Sequence, residues 1–319
     1  MHNRRYTTFA LSVIATGSLL LTGCSDGREL AAEEDGTIDR IGLMVQDLSN
    51  PFFIAMQEGV ESAAEEMDAT VTTEDGRQDL GAQNEQIDAF IQQGIDILLI
   101  NAVDSEGIGS AVQRATEAGI TVVAVDVTAK GAQAFVTSDN VQAGTQACTH
   151  LAEQIGGEGE ILLVDGTPIS SVQDRVTGCE EVLAEEYPDV EIVAKQSGDN
   201  GRNQALTITT DMLTANPDVK GIFGINDPTA LGATLAAEQA GYDDLVITGV
   251  DGSPQAEEEL QKEDSMFVGT AAQDPKLLGV TGLEMAEKLY NGEELENSER
   301  LVETKLITRD NLDEYEGWQ

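Results

Sequence analysis

Residues 41–59 read IGLMVQDLSNPFFIAMQEG, and the rest of the chain repeats their pattern. Ile41 to Val45 is apolar and unbroken, as expected of a strand buried on both faces of a parallel sheet. From Phe53 through Met56, Val60, Ala63, Ala64 and Met67 the apolar residues fall at helical spacing, with Gln57, Glu58, Glu61 and Glu65 between them. The joint is Asp47-Leu48-Ser49-Asn50-Pro51. Asn50 is a good N-cap, and Pro51 suits a helix start, where a missing N–H costs nothing. The reading is strand, loop, helix. Ligands of open α/β sheets bind at such loops, outside the carboxyl ends of the strands. Phe52 and Phe53 stand at that edge, as core residues or with one ring turned to a ligand.

Strand–helix alternation continues with short loops, which means parallel sheets covered on both faces. Apolar runs end at Asn101, Asp126, Asn226, Asp251 and Gln273. Singly, each is an ordinary cap or turn former. Together with Asn50, at matching edges of two facing sheets, they form a set of donors and acceptors suited to a neutral polyhydroxylated ligand. A helix is expected over 105–118, closed by Gly119, and one last strand over 301–307. No long linker divides the chain, so two similar α/β domains joined by short crossings, with a cleft between them, are expected.

The first 24 residues read as an export signal: Arg4 and Arg5, then an apolar stretch over 9–21 that is short for a membrane span. Leu21-Thr22-Gly23-Cys24 looks like a bacterial lipobox, followed by a polar tether over 25–36. The alternative is an ordinary secretory peptide with a chance cysteine. The lipobox reading implies lipidation of Cys24 and anchoring to a membrane from outside the cytoplasm, in the periplasm or at the outer cell surface.

About 280 residues remain, enough for two domains with sizeable cores. The whole chain carries 59 acidic residues against 17 basic, a net charge of −42. Such a surface excludes nucleic acid, whose phosphates need Lys/Arg clusters, and repels anionic ligands. Its sparse lysine resembles the surfaces of salt-adapted bacterial proteins, where salt screens self-repulsion. With Cys24 assigned to the anchor, Cys148 and Cys179 are left as a candidate disulfide of an oxidising compartment, or as two buried thiols. The only histidines are His2 and His150, so a histidine metal site or catalytic triad has almost no raw material. No cofactor is called for. No Gly-x-Gly-x-x-Gly follows the first strand, and no phosphate loop occurs.

SNPFFIAMQEG, ILLINAVDSEGIGSAV, TVVAVD, TSDNVQAG, LTANPDVKGIFGINDPTALGA, ITGVDGSP and TAAQDP, in that order, resemble the sugar-binding proteins of bacterial ABC importers. The nearest group is the ribose-binding-like branch of the periplasmic binding protein type I fold. The resemblance implies two doubly wound, Rossmann-like parallel-sheet domains joined by a three-crossing hinge near Ser138–Asp139, Gln273–Asp274 and Glu303. The N-terminal lobe would take 37–138 and 275–303, and the C-terminal lobe 139–274 and 304–319. It implies a hydroxyl contact from Asn50 and ring packing from Phe52 and Phe53. It implies polar contacts from Asn101, Asp126, Arg175, Asn226, Asp251 and Gln273, with Asp126 and Asp251 as ionised acceptors partly neutralised by Arg175. It implies a monomer that delivers its solute to a membrane permease with ATPase subunits.

Two departures from the ribose-binding pattern alter the outline of the ligand. Val127 stands where those relatives have an arginine, and Asn200, in SGDNG, stands where they carry an aromatic. These departures speak against ribose itself, unless a neighbouring side chain replaces each lost contact; a different pentose or a hexose, a cyclitol such as inositol, or a linear sugar alcohol is compatible. The same fold also serves as a sensor presenting a sugar or small furanosyl signal to a chemoreceptor or signalling kinase. Paired carboxylates such as Asp126 and Asp251 are glycosidase raw material as well, but no motif favours hydrolysis, and the reading is a receptor, not an enzyme.

Overall fold

The computed structural model describes residues 36–318; the expected signal peptide, Cys24 and tether residues 25–35 lie outside them. The first half of the chain runs β1 (Arg40–Val45), α1 (Pro51–Glu66), β2 (Thr70–Asp75), α2 (Leu80–Gln93), β3 (Ile97–Ile100), α3 (Gly109–Glu117), β4 (Thr121–Val125) and β5 (Ala134–Ser138). The second half repeats the scheme with α4 (Asn140–Gln154), β6 (Glu158–Asp165), α5 (Ser170–Glu186), β7 (Asp189–Ser197), α6 (Arg202–Ala215), β8 (Gly221–Gly224), α7 (Asp227–Ala240), β9 (Val246–Asp251), α8 (Pro254–Leu260) and β10 (Phe267–Ala272). The chain closes with α9 (Pro275–Tyr290), β11 (Glu299–Val302) and β12 (Lys305–Thr308).

The two sheets share one plan. One is ordered β2-β1-β3-β4-β5-β11 and the other β7-β6-β8-β9-β10-β12. Every pairing is parallel except that of β12 with β10. Each order reverses beside its first strand (β1 or β6), the switch point at which such folds bind ligands. The all-buried strands ILLI of β3 and TVVAV of β4 follow from helices covering both faces. The chain passes between the sheets after β5, after β10 and between β11 and β12.

Residues 301–307 are therefore not one strand. Leu301 pairs with Thr137 in the first sheet, and Ile307 with Thr270 in the second. Glu303 and Thr304 lie between them, and Thr304 donates its N–H to Gln142 at 2.8 Å. An unbroken strand pattern hid a change of partner. The helix expected over 105–118 also begins later, at Gly109, because Asp104 takes the backbone N–H groups of Glu106 and Gly107 into a turn.

Three apolar clusters hold the layers. One packs α1 and α9 on the first sheet, and another packs α6, α7 and α8 on the second. The third joins the remaining faces of both sheets, with Val127 and Ala129 on one side and Ile169 and Val172 on the other. In α4 and α5 the backbones touch: a Cβ on Gly144 would collide with the carbonyl of Arg175, and one on Gly178 with that of Val141. A disulfide joins Cys148 to Cys179 across the same helix pair, with Cα atoms 5.2 Å apart.

Candidate ligand-binding cleft

The carboxyl ends of the two sheets face each other across a cavity of about 430 Å³. Asn50, Phe52, Phe53, Asp126, Arg175, Asn200, Asn226, Asp251 and Gln273 all line it. Asn101 does not. It is fully buried behind Asp126, and its Nδ2 donates to Asp126 Oδ2 at 2.8 Å and to the Val125 carbonyl at 2.9 Å. Asn101 holds the carboxylate in place instead of reaching the cavity.

The two aspartates that end β4 and β9 share a backbone feature. Asp126 has φ 70° and Asp251 has φ 137°, conformations that residues with a side chain rarely adopt. Each costs of order 1–3 kcal/mol, and such strain gathers where geometry serves a site. The strain aims two carboxylates into one space. Asp126 Oδ1 is buried and accepts from no protein group among the described residues. Asp251 is fully engaged: Oδ1 accepts from Gln273 Nε2 at 2.8 Å and lies 3.5 Å from a terminal guanidinium nitrogen of Arg175. Gln273 Oε1 is likewise buried without a donor among the described residues.

Arg175 is the central cation. Its Nε donates to Asn140 Oδ1 at 2.8 Å, and a terminal nitrogen donates to the Ile225 carbonyl at 3.0 Å. Beneath it lies Asp227, a buried carboxylate that the sequence reading did not assign. Its oxygens accept from the Ser253 N–H and the Thr270 hydroxyl, both at 2.7 Å. One guanidinium thus faces three buried carboxylates. Burial raises the pKa of Asp126, against the pull of Arg175 and Asn101. Burial and neighbouring Asp227 hold Asp251 well above the usual carboxylate range, again opposed by Arg175. Asp227 is pushed up to about 6, mainly by burial. Burial thus opposes the charge on all three carboxylates, and Arg175 favours it.

The amides near the rim are partly occupied. Asn50 caps α1, its Oδ1 accepting from Phe52 N–H at 3.0 Å, and keeps its Nδ2 for the cavity. Asn226 caps α7 in a reciprocal box with Thr229. Asn200 Nδ2 donates to the Thr167 hydroxyl at 2.7 Å, so this residue braces a loop as well as lining the space. Val127 is fully buried among apolar residues and supplies no substitute for a second guanidinium. Phe52 and Phe53 are both buried and lie edge to face, 5.4 Å between centroids, so the pair is core and cleft wall at once.

Sequence reasoning missed several lining residues. Gln46 and Ser253 directly follow β1 and the Asp251-Gly252 pair, the position rule that found the others, and that signal was available. Arg202, Asn203 and Gln255 open helices at the cleft mouth and carry no distinguishing local pattern.

A sequence model described as periplasmic binding protein domain matches residues 41–294. The chain belongs to the periplasmic binding protein family. Among relatives of this periplasmic binding protein is the ribose import binding protein RbsB of Bacillus subtilis (strain 168), 34% identical over 297 residues, spanning 91% of this chain and 95% of the relative. The xylitol-binding protein of Mycolicibacterium smegmatis is 30% identical over 308 residues, spanning 95% of this chain and 86% of the relative. An ABC transporter periplasmic solute binding protein from Actinobacillus succinogenes, solved with bound D-allose, superposes with a TM-score of 0.80 at 31% identity, over 87% of this chain and all of the other. The relatives of this periplasmic binding protein are solute receptors and not enzymes, and the family implies work outside the cytoplasm.

Proposed function

We propose that the chain is the extracytoplasmic solute-binding component of an ABC importer, closing on a neutral monosaccharide or polyol and presenting it to a membrane permease. The observation that carries the reading is the pair of buried acceptors at the cavity, Asp126 Oδ1 and Gln273 Oε1, that take no hydrogen bond from the described residues. A buried polar group left unpaired costs roughly 1–3 kcal/mol, so the fitting ligand is one that donates from several hydroxyls. Relatives named for ribose and xylitol, and a neighbour holding D-allose, support that class.

The mechanism follows from which groups sit on which side. Asn50, Phe52, Phe53 and Asp126 come from the sheet that holds β1 and β4. Arg175, Asn226 and Asp251 come from the one that holds β8 and β9. Neither half-site is complete alone. A polyol bridging both favours the closed form through contacts that only closure completes. The moving bodies are residues 37–138 with 275–303 and residues 139–274 with 304–319, turning on the three crossings. Cys24 carries the lipid anchor, supported by the Leu-Thr-Gly-Cys sequence and the polar tether after it.

A thermal-shift screen of the mature, unlipidated protein at high salt tests the reading. The panel is D-ribose, D-allose, xylitol and myo-inositol with related pentoses, hexoses and linear polyols. A ligand that binds only the native state raises the melting temperature as its concentration passes its dissociation constant. One clear stabiliser, lost in Asp126→Ala and Arg175→Ala, is expected. A folded protein that no polyol stabilises rejects the ligand class.

A further inference from the structure

After β12 the chain makes a 3₁₀ turn at Leu312–Glu314 and then runs back over the cleft wall. Tyr315 packs into the apolar cluster of the second sheet, and its hydroxyl donates to the Gly252 carbonyl at 2.6 Å. Three residues later Trp318 belongs to the other side: its half-buried ring packs on the cluster of the first sheet. The indole meets Phe52 edge to face, with centroids 5.7 Å apart and planes at 85°. Its Nε1–H still points back, donating to the Asp251 carbonyl at 3.1 Å. One side chain therefore grips an aromatic of the first half-site and the strand end of the second.

We propose that Trp318 is a positioning residue of the binding reaction, a non-covalent fourth link between the lobes that sets the Phe52 ring against the Asp251 strand end when the cleft is closed. The geometry explains why both contacts fall on lining residues. An edge-to-face ring pair and an indole hydrogen bond stabilise the closed arrangement only, because opening the cleft carries Phe52 and Asp251 apart. Such a link acts on escape of the solute more than on its arrival, since contacts completed after encounter appear in the dissociation rate. It does not depend on which solute the cleft takes.

Trp318 is the chain's only tryptophan, so it reports on itself. For a panel polyol that raises the melting temperature, wild-type emission should shift to the blue and acrylamide quenching should fall on binding. Phe52→Ala should abolish both changes. Followed by rapid filtration of a radiolabelled polyol, a readout that needs no tryptophan, Trp318→Ala should dissociate about tenfold faster, with an association rate within about twofold of wild type. Trp318→Phe, which keeps a ring but loses the N–H, should fall between. A merely structural role would lower the melting temperature and leave the dissociation rate alone; an unchanged dissociation rate in Trp318→Ala overturns the proposal. So does tryptophan quenching that is equal with and without a polyol that binds. The dissociation measurement rests on the polyol reading. If no polyol stabilises the protein, that reading falls, and the link is then decided without ligand: because it favours the closed arrangement, Trp318→Ala must shift the free protein toward the open form, read as a larger radius of gyration in small-angle scattering, and equal radii overturn it.

Discussion

Asn140 Oδ1 accepts a hydrogen bond of 2.8 Å from Arg175 Nε, tying the one cation central to the cleft to the first residue beyond the β5 crossing. The tie continues. Asn140 Nδ2 donates to Thr137 Oγ1 at 3.0 Å, and Thr137 Oγ1 donates to the Asp126 carbonyl at 2.6 Å. A short relay thus runs from one half-site, through a hinge crossing, to the other. On the proposed closure, rotation at residues 138–140 would move Arg175 relative to Asp126.

Asn140→Ala cuts the relay without touching the cavity wall. Hydrogen bonds to charged groups contribute about 1.5–3 kcal/mol, so polyol affinity should fall roughly 10–100-fold by calorimetry. Fold and lining residues should persist in the circular dichroism spectrum. Wild-type affinity would show that Arg175 is held by its other partners.

Asp126→Asn should separate stability from binding. Burial disfavours the charge at Asp126, and the neutral amide removes that cost, so the ligand-free melting temperature should rise by about 2–4 °C for each kcal/mol relieved. The same variant should lose its thermal response to polyols. A variant that is both less stable and fully responsive would contradict the role given to this carboxylate.

Asp227 makes the fold more stable in mild acid. Its folded pKa is raised to about 6 from the ordinary 3.8, so the native state holds its proton more tightly than the unfolded chain. The sign is that of a raised carboxyl: stability is fullest below the unfolded value, is lost as pH climbs from about 4 to about 6, and is level above. At about 1.4 kcal/mol per unit the difference is about 3 kcal/mol. Asp126 and Asp251 are shifted in the same direction. The melting temperature should therefore rise as pH falls from neutral toward about 5, and Asp227→Asn should flatten that slope. An identical slope in the variant would rule this carboxyl out as its source.

The Cys148–Cys179 disulfide closes a loop of sequence separation 31, for which chain entropy gives about 4 kcal/mol of stabilisation. Reduction, or the paired Cys→Ala variant, should lower the melting temperature by about 8–16 °C. Because α5 carries Arg175 against α4, polyol affinity should fall as well. Full affinity after reduction would mean that the glycine contacts of the helix pair are enough to hold Arg175.

With a net charge of −42, salt should also matter. Raising NaCl from about 0.1 to about 2 M shortens the screening length several-fold, and the melting temperature should climb throughout. A flat response would mean that the acidic residues are spaced beyond mutual reach.

Much of the site was legible because parallel sheets present binding residues at one predictable place. Asp126, Asp251 and Gln273 directly follow apolar runs, and α1 and α9 begin at a capped proline, as Asn50-Pro51 and Asp274-Pro275 announce. What escaped depends on partners distant in sequence. Nothing local in 301–307 says that the chain changes sheets at Glu303. Asn101 and Asp126 look alike as polar residues after strands, yet only the latter, turned by its positive φ, reaches the cavity. Asp227 reads as an ordinary first-turn acid of α7, and its burial appears only when Ser253 and Thr270 close over it. Trp318 could not be placed from a polar, motif-free terminus.

Helix α9 packs Leu278, Leu283, Met285 and Ala286 into the cluster that covers the first sheet, beside α1. On a ribosome, that sheet's strands β1 to β5 emerge early, but their cover is not synthesised until residues 275–290. The nascent chain thus lacks a finished first core until nearly the whole polypeptide exists, and the second sheet waits longer still for β12. Such a layout postpones cooperative folding. Under the export proposed above, late completion would keep the chain unfolded through most of its synthesis.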